Sequence, residues 1–308
     1  MSSATSSPSR PAPEASTARD PGSAPRVAVL GMGTMGAAMA RNLVDAGLPV
    51  NVWNRTPEPA ERLAGLGASA HSSARQAAAA GDVVLTMLPD AEAVSSVAMA
   101  GGMLAALRPG AVWVQMGTIG AAATDELAAE VRRRRPDVLF VDAPVSGTRG
   151  PAEAGQLLIL ASGPDQARAM LEPVFSAIGS RTLWLGPAGA GSRLKLVLNT
   201  WLAFLVEGIA ESAALADSLG VNHEALISAL QGGPLAAGLA LAKLAKIDAG
   251  DDSPDFSLRW AVKDVDLAVS AAGDWRLPTA AAIARHWHQL ASASLADLDV
   301  SAARRGLA

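Results

Sequence analysis

The chain has 308 residues, half of them hydrophobic and 18% charged, with a formal net charge of -4. That length suits two cores rather than one. The near balance of charge excludes the basic surface that a nucleic-acid binder needs, and the absence of cysteine excludes disulfides, zinc–thiolate sites and cysteine nucleophiles.

Cysteine-free composition is also what a cytoplasmic protein shows, and a cytoplasmic location is expected. The longest greasy stretch, 194–216, carries Lys195, Asn199, Glu207 and Glu211. It therefore reads as a buried helix, not a bilayer span, and no membrane partner is expected. Residues 1–25 are rich in Ser, Pro and Ala, with no aliphatic side chain larger than alanine beyond Met1. Such a segment cannot bury enough apolar area to offset its ordering entropy, so a disordered tail is expected. It lacks the apolar centre of a secretory signal, and Glu14 and Asp20 weigh against a transit peptide.

Ordered sequence begins abruptly at 26–30, an apolar, partly β-branched run followed at once by a glycine loop. A helix is predicted over 37–46, stopped by Gly47, and a strand over 50–53. Helices follow over 59–66 and 72–80, then a strand over 83–88 ended by Pro89. A mostly helical stretch is expected over 91–106, a strand over 111–115, a helix over 121–135 and a strand from 139 to 141. Strands at 157–161 and 182–185 flank a helix over 164–178. Strands alternating with helices predict a doubly wound, mostly parallel sheet. From Gly191 only helices are predicted, over 194–219, 223–230, 235–249, 262–272 and 279–293. The fold class expected is α/β: an N-terminal Rossmann domain over 26–188, then an all-helical substrate and dimerisation domain over 189–308, entered through one long helix.

The loop is Gly31-Met32-Gly33-Thr34-Met35-Gly36. A pyrophosphate must be met by backbone N–H groups at a helix start. Glycine at 31 permits the turn, at 33 the close approach, and at 36 the packing of helix on strand. Strand before, helix and second strand after supply the context that the motif requires; a tight turn with no ligand is the alternative. Cofactor choice is made at the end of the second strand. There a carboxylate would bind a ribose 2′-hydroxyl, whereas an arginine attracts a 2′-phosphate. The chain has Asn54-Arg55-Thr56 and no acid before Glu58, so NADP(H) is expected over NAD(H). An ordinary surface arginine is the alternative for Arg55. Leu88-Pro89 and Met116-Gly117-Thr118 stand at two further strand ends, where ligands gather or strands merely stop.

Four segments in order, 31–43, Asp142-Ala143-Pro144-Val145-Ser146-Gly147, Lys195-Leu196-Val197-Leu198-Asn199 and Lys263-Asp264, resemble the β-hydroxyacid dehydrogenases, the family of 3-hydroxyisobutyrate dehydrogenase. The likeness covers nearly everything from Arg26 onward. Within the family, the stretch 146–157 with its Pro151-Ala152-Glu153, Phe256 eight residues before Asp264, and the ending 297–302 resemble the glyoxylate/succinic semialdehyde reductases. The resemblance implies Lys195 as the catalytic residue, with Asn199 one helical turn on and on the same face. It also implies Ser146 and Gly147 for a substrate carboxylate, with Thr148, Phe256 and Asp264 beside them. Leu88, Pro89, Thr118 and Lys263 would reach the cofactor. The homologous assemblies are homodimers or homotetramers acting on small carboxylic acids. Most members carry a second glycine where this chain has Thr148, which bears on substrate identity. Imine reductases share the architecture but usually replace the lysine.

The residues supply a rationale for Lys195. Hydride addition to a carbonyl makes an alkoxide that needs a proton. A lysine among Leu194, Leu196 and Leu198 near a helix start is pushed toward neutrality by burial and by the positive helix end; a snorkelling surface lysine is the alternative. His286 and His288, two apart, make a poor metal pair. Core packing is the safer reading of Trp201, Trp260 and Trp275, although each is also a candidate wall of a cleft, and Asp251-Asp252 reads as a solvated loop. The expected activity is NADPH-dependent reduction of small aldehydo- or keto-acids. A 3-hydroxyacid dehydrogenase, an imine reductase-like enzyme and a catalytically silent nucleotide-binding scaffold are the alternatives.

Overall fold

Val27, Ala28, Val29 and Leu30 are apolar at every position, and all four are fully buried. That is the signature of a central strand covered on both faces. In the computed structural model, which describes residues 24–307, they form β1 (Val27–Leu30). The tail expected over 1–25 lies, but for its last two residues, outside the described residues. Five strands join β1: β2 (Val50–Trp53), β3 (Ser69–Ala70), β4 (Val83–Thr86), β5 (Val112–Gln115) and β6 (Leu139–Asp142). All pair in parallel in the order β3-β2-β1-β4-β5-β6. The order reverses between β1 and β4, which opens a crevice beyond their carboxyl ends.

The two faces of this sheet are two cores. Val27, Val29, Val52, Leu85 and Val114 pack with Met39 and Leu43 of the helix Thr34–Asp45. Ala28, Leu30, Val84, Trp113 and Phe140 pack with Ala77 and Met103 on the other side. Two details of the sequence reading are corrected. The strands at 157–161 and 182–185 do not extend the main sheet. They form β8 (Leu157–Ala161) and β9 (Gly179–Trp184) of a separate three-stranded sheet, with β7 (Val145–Ser146) antiparallel to β8. Asp142, Val145 and Ser146 pair antiparallel with Ser162, Ile159 and Leu158 in one register, so the chain runs straight on from β6 into β7 and turns back only between β7 and β8. The helix expected over 91–106 is broken into Ala91–Ser95, a π turn Ser96–Ala100 and Met103–Ala106. The break falls at Gly101-Gly102, where Gly102 takes a φ of 69° that a side chain disfavours.

The helical half is centred on the 30-residue helix Ala190–Leu219. Its inner stripe, Ala203, Val206 and Ala210, packs on Leu258, Val262, Ile283 and the fully buried Trp287. The helix begins four residues before the predicted 194. Its N-cap, Gly189, has no side chain with which to cap. The free N–H groups are met from the sheet instead. Ser192 donates from its N–H to Asp142 Oδ2 (2.8 Å) and from its Oγ to Asp142 Oδ1 (2.7 Å). Gly191 N–H donates to Ser162 Oγ (2.9 Å), whose hydroxyl donates in turn to Asp142 Oδ2 (3.1 Å). Gly191 is obligatory here, because a Cβ would stand 2.1 Å from the Leu160 carbonyl oxygen. The cap thus comes from the end of β6, and no local signal near 190 records it.

Candidate active site

The glycine loop joins β1 to the helix Thr34–Asp45. Gly31 has a φ of 103° and a Cβ there would lie 2.3 Å from the Met87 carbonyl oxygen; a Cβ on Gly36 would lie 1.9 Å from Gly31 O. A Cβ on Gly33 meets nothing within 4 Å, because that position faces open cleft. The helix has no side-chain cap and no acidic residue in its first turn. Uncapped N–H groups, a positive helix end and no competing carboxylate together suit a pyrophosphate. Asn54 braces this loop: its Oδ1 accepts from Met32 N–H (2.9 Å), and its Nδ2 donates to Thr56 O (2.9 Å) and Thr56 Oγ1 (3.0 Å). Arg55 and Thr56 are exposed just beyond β2.

A cavity of about 510 Å³ extends from this loop to the helical half. Gly31, Gly33, Thr34, Met35 and Gly36 line one end, with Asn54. Leu88, Pro89 and Thr118 enter from the ends of β4 and β5. Gly147, Thr148 and Phe256 form the far end, and Lys195, Lys263 and Asp264 complete the wall. The fold thus brings most of the predicted residues to one place. Met32, Arg55, Thr56, Ser146 and Asn199 do not line the cavity. Met32 is buried under the loop, and Ser146 sits half-buried in β7. Met116 and Gly117 line it beside Thr118, at the strand end placed at the crevice, whereas the sequence reading missed Met87, Val145, Pro254, Asp255, Ser257 and Asp297. Met87 adjoins a predicted contact, and adjacency at a strand end was the available signal. Asp255 is brought in by a loop whose path is set from the chain's far end.

Lys195 is nearly fully buried and, among the described residues, has no hydrogen-bond or ion-pair partner. Its amine is lowered to about 8, chiefly by burial; the nearby Asp264 carboxylate opposes this and Lys263 reinforces it. The helix end contributes less than the sequence implied. Lys195 lies in the second turn of a helix that starts at Ala190, and the dipole effect fades after the first turn. Asn199 stands behind it, donating from Nδ2 to Asp264 Oδ2 at 2.5 Å. Asp264 is pushed up by burial against the pull of Lys263 and Lys195. Its Oδ1, 3.1 Å from Lys263 Nζ, pairs by charge but is not aligned for a hydrogen bond. Lys263 and Asp264 lie within the helix Leu258–Ala271, which starts four residues before the predicted 262. Lys263 Nζ donates to Pro89 O (3.0 Å) and Thr118 O (2.5 Å), tying the helical half to the ends of β4 and β5.

The core reading of three tryptophans is corrected. Trp260 lines the cavity, its ring 5.7 Å from Lys263 Nζ. Trp201 and Trp275 are 60% and 84% exposed. His286 and His288 point apart, to Glu207 and Asp266, and no cluster of metal-ligating side chains occurs among the described residues. Asp251 and Asp252 are ion-paired with Lys246 and Arg305, more tied than a solvated loop. No described helix is long and apolar enough to cross a membrane.

A parallel sheet in this order, an uncapped glycine-loop helix and a buried lysine across the crevice define a nucleotide-dependent oxidoreductase. Residues 26–186 match the family model for the NAD-binding domain of 6-phosphogluconate dehydrogenase. Residues 189–307 match that for the NAD-binding domain of NADP-dependent 3-hydroxyisobutyrate dehydrogenase. Glyoxylate/succinic semialdehyde reductase 1 of Arabidopsis thaliana is 33% identical over 280 residues, 90% of this chain and 96% of the relative. Among solved structures, 3-hydroxyisobutyrate dehydrogenase of Mycobacterium tuberculosis with L-serine has a TM-score of 0.83 at 30% identity, over 92% of this chain and 99% of the other. That of Salmonella typhimurium has a TM-score of 0.83 at 26% identity, over 91% and 99%. The chain belongs to the β-hydroxyacid dehydrogenase family, on the side of the glyoxylate/succinic semialdehyde reductases, and is an NAD(P)-dependent oxidoreductase.

Proposed function

We propose that the chain is an NADPH-dependent reductase of small aldehydo- or keto-acids of the succinic semialdehyde or glyoxylate type, acting in the cytoplasm. The observation that carries this reading is Lys195: a buried, unpaired amine on the cavity wall whose pKa is brought to about 8. A bound nicotinamide cofactor supplies the hydride. The loop from Gly31 to Gly36 holds its pyrophosphate through backbone N–H groups, and Arg55 and Thr56 meet a 2′-phosphate. Leu88, Pro89 and Thr118 flank it, and Lys263 keeps the two strand ends in place. At the far end Ser146, Gly147 and Thr148 receive the substrate carboxylate, beside Phe256 and Asp264. Lys195 gives its proton to the oxygen that becomes the alcohol. Asn199, held by Asp264, keeps that region of the helix face polar and ordered.

The pH dependence has a definite sign. Reduction uses the ammonium form of Lys195, so its kcat/KM is expected to be level below about pH 8 and to fall with rising pH above it. Oxidation of the corresponding hydroxyacid uses the neutral amine and is expected to rise through the same pH. Parallel pH profiles in the two directions would remove the lysine from this role. For the cofactor, Arg55→Ala is expected to weaken NADPH about ten- to a hundredfold, the loss of one or two charge-assisted hydrogen bonds, with little change for NADH. Equal NADPH affinity in that variant would refute the 2′-phosphate reading. NADPH consumption with a panel of semialdehydes, 2-keto acids and cyclic imines tests the substrate class; preferential turnover of the imines would favour the imine reductase alternative.

Assembly as a homodimer or homotetramer is part of the proposal. Val197 and Trp201 near one end and Leu215 and Leu219 near the other are 59% exposed or more and fall on one outward face of the helix Ala190–Leu219. Exposed apolar side chains aligned in that way suit an association surface.

A further inference from the structure

The far end of the cavity is lined in part by the loop that carries Asp255 and Phe256. This loop has no regular structure between the helices Gly238–Ala249 and Leu258–Ala271. Its shape must therefore come from elsewhere. It comes from the chain's far end. Asp299, 0% exposed, accepts at Oδ2 from the N–H of Asp255 (3.0 Å) and of Phe256 (3.3 Å). Its Oδ1 accepts from Ser301 N–H (3.1 Å). Both oxygens accept from Lys243 Nζ, at 2.7 and 2.9 Å, and Lys243 is only 3% exposed. Backbone bonds run alongside: Asp299 N–H to Asp252 O, Val300 N–H to Phe256 O and Leu258 N–H to Leu298 O.

A lysine and an aspartate both withdrawn from water are costly to keep, and a hydrophobic pair of similar size is often at least as stabilising. Their retention here needs a role beyond stability. A buried carboxylate differs from an apolar side chain in one useful respect: it fixes N–H donors to within tenths of an ångström. The donors it fixes belong to two residues of the cavity wall.

We infer that Lys243 and Asp299 are a positioning pair that sets the backbone of Asp255 and Phe256, and thereby the fit of the substrate's distal end. Neither side chain lines the cavity. Lys243 also stands 3.5 Å from Asp255 Oδ2, so it draws the Asp255 side chain toward the pair as well as its backbone. The effect on the substrate rests on the reductase reading above; the effect on the loop does not.

The test uses Lys243→Arg and Asp299→Glu, which keep both charges while displacing the carboxylate, together with Asp299→Asn. Two measurements are made on the full chain. Hydrogen–deuterium exchange should lose protection at residues 255–258 in each soluble variant and keep it in the main sheet. Steady-state assays with glyoxylate and succinic semialdehyde should give a KM for the acid about tenfold higher, with kcat within about threefold and NADPH affinity unchanged. Unaltered exchange at 255–258, or an aldehyde KM that stays at the wild-type value, overturns the inference. So does a parallel loss of NADPH affinity and of protection throughout, which a merely structural pair would give. If the wild-type chain reduces neither acid, the reductase reading fails by itself, and the exchange contrast still decides whether the pair positions the loop.

Discussion

Replacing Lys195 by alanine is expected to lower kcat for aldehyde reduction by about a hundred- to ten-thousandfold, the usual worth of a positioned proton donor. NADPH affinity should change little, because the pyrophosphate would be held by the uncapped N–H groups of the glycine loop and not by the lysine. The lysine's side chain is nearly all withdrawn from water, yet among the described residues its amine has no partner. Burial without pairing is expensive and lowers the amine to about 8, the range in which a group gives and regains a proton near neutral pH. Removing it relieves that cost, so the variant is expected to melt no lower than the parent. Stopped-flow single turnovers would separate hydride transfer from product release. A scaffold that only binds nucleotide would show no turnover in the parent, and turnover that survives the substitution would take the lysine out of the chemistry.

Asp142→Ala is expected to destabilise the fold by on the order of 3 kcal/mol, since it takes the carboxylate acceptor from the buried N–H and hydroxyl of Ser192, whereas Ser162 Oγ keeps the Asp142 carbonyl. Thr124 Oγ1, 3.0 Å from Ser192 Oγ, would lose an ordered neighbour as well. Asp142→Asn is expected to cost less. Its amide oxygen still accepts from one donor, and burial already pushes the Asp142 carboxyl above the usual carboxylate range. Denaturant melts of the two variants measure the difference. Both should also lose activity beyond what unfolding explains, because Ser192 is less than one helical turn from Lys195. Full activity in a destabilised but folded Asp142→Ala would show that the lysine is held by other contacts.

Legibility in the sequence followed the range of the forces involved. Local signals sufficed for the glycine loop, where Gly31 and Gly36 meet steric demands and Gly33 faces the cleft, and for β1, whose four apolar positions are all buried. The burial of Lys195 was legible from its apolar neighbours. What the sequence hid was set by partners far away in the chain. The long helix starts at Ala190 because Asp142 caps it from 50 residues away. The second sheet is set by antiparallel pairing of β7 with β8 across a turn, and a two-residue strand such as β7 has no periodicity to detect. Trp201 looked like core because it lies in an apolar helix, but it falls on that helix's outer stripe. Asp255 entered the cavity wall through Asp299, again across a long separation.

One rod of 30 residues, about 45 Å long, has its base clamped at Asp142, carries Lys195 just above the clamp, and exposes Leu215 and Leu219 near its far end. Such an object is a lever, and the carboxylate is its fulcrum. A push on Leu215 or Leu219 tilts the whole rod, and the smallest displacement falls nearest the pivot, at the lysine. Whatever settles near Leu215 and Leu219, roughly 30 Å along the rod from Lys195, thus moves that lysine least.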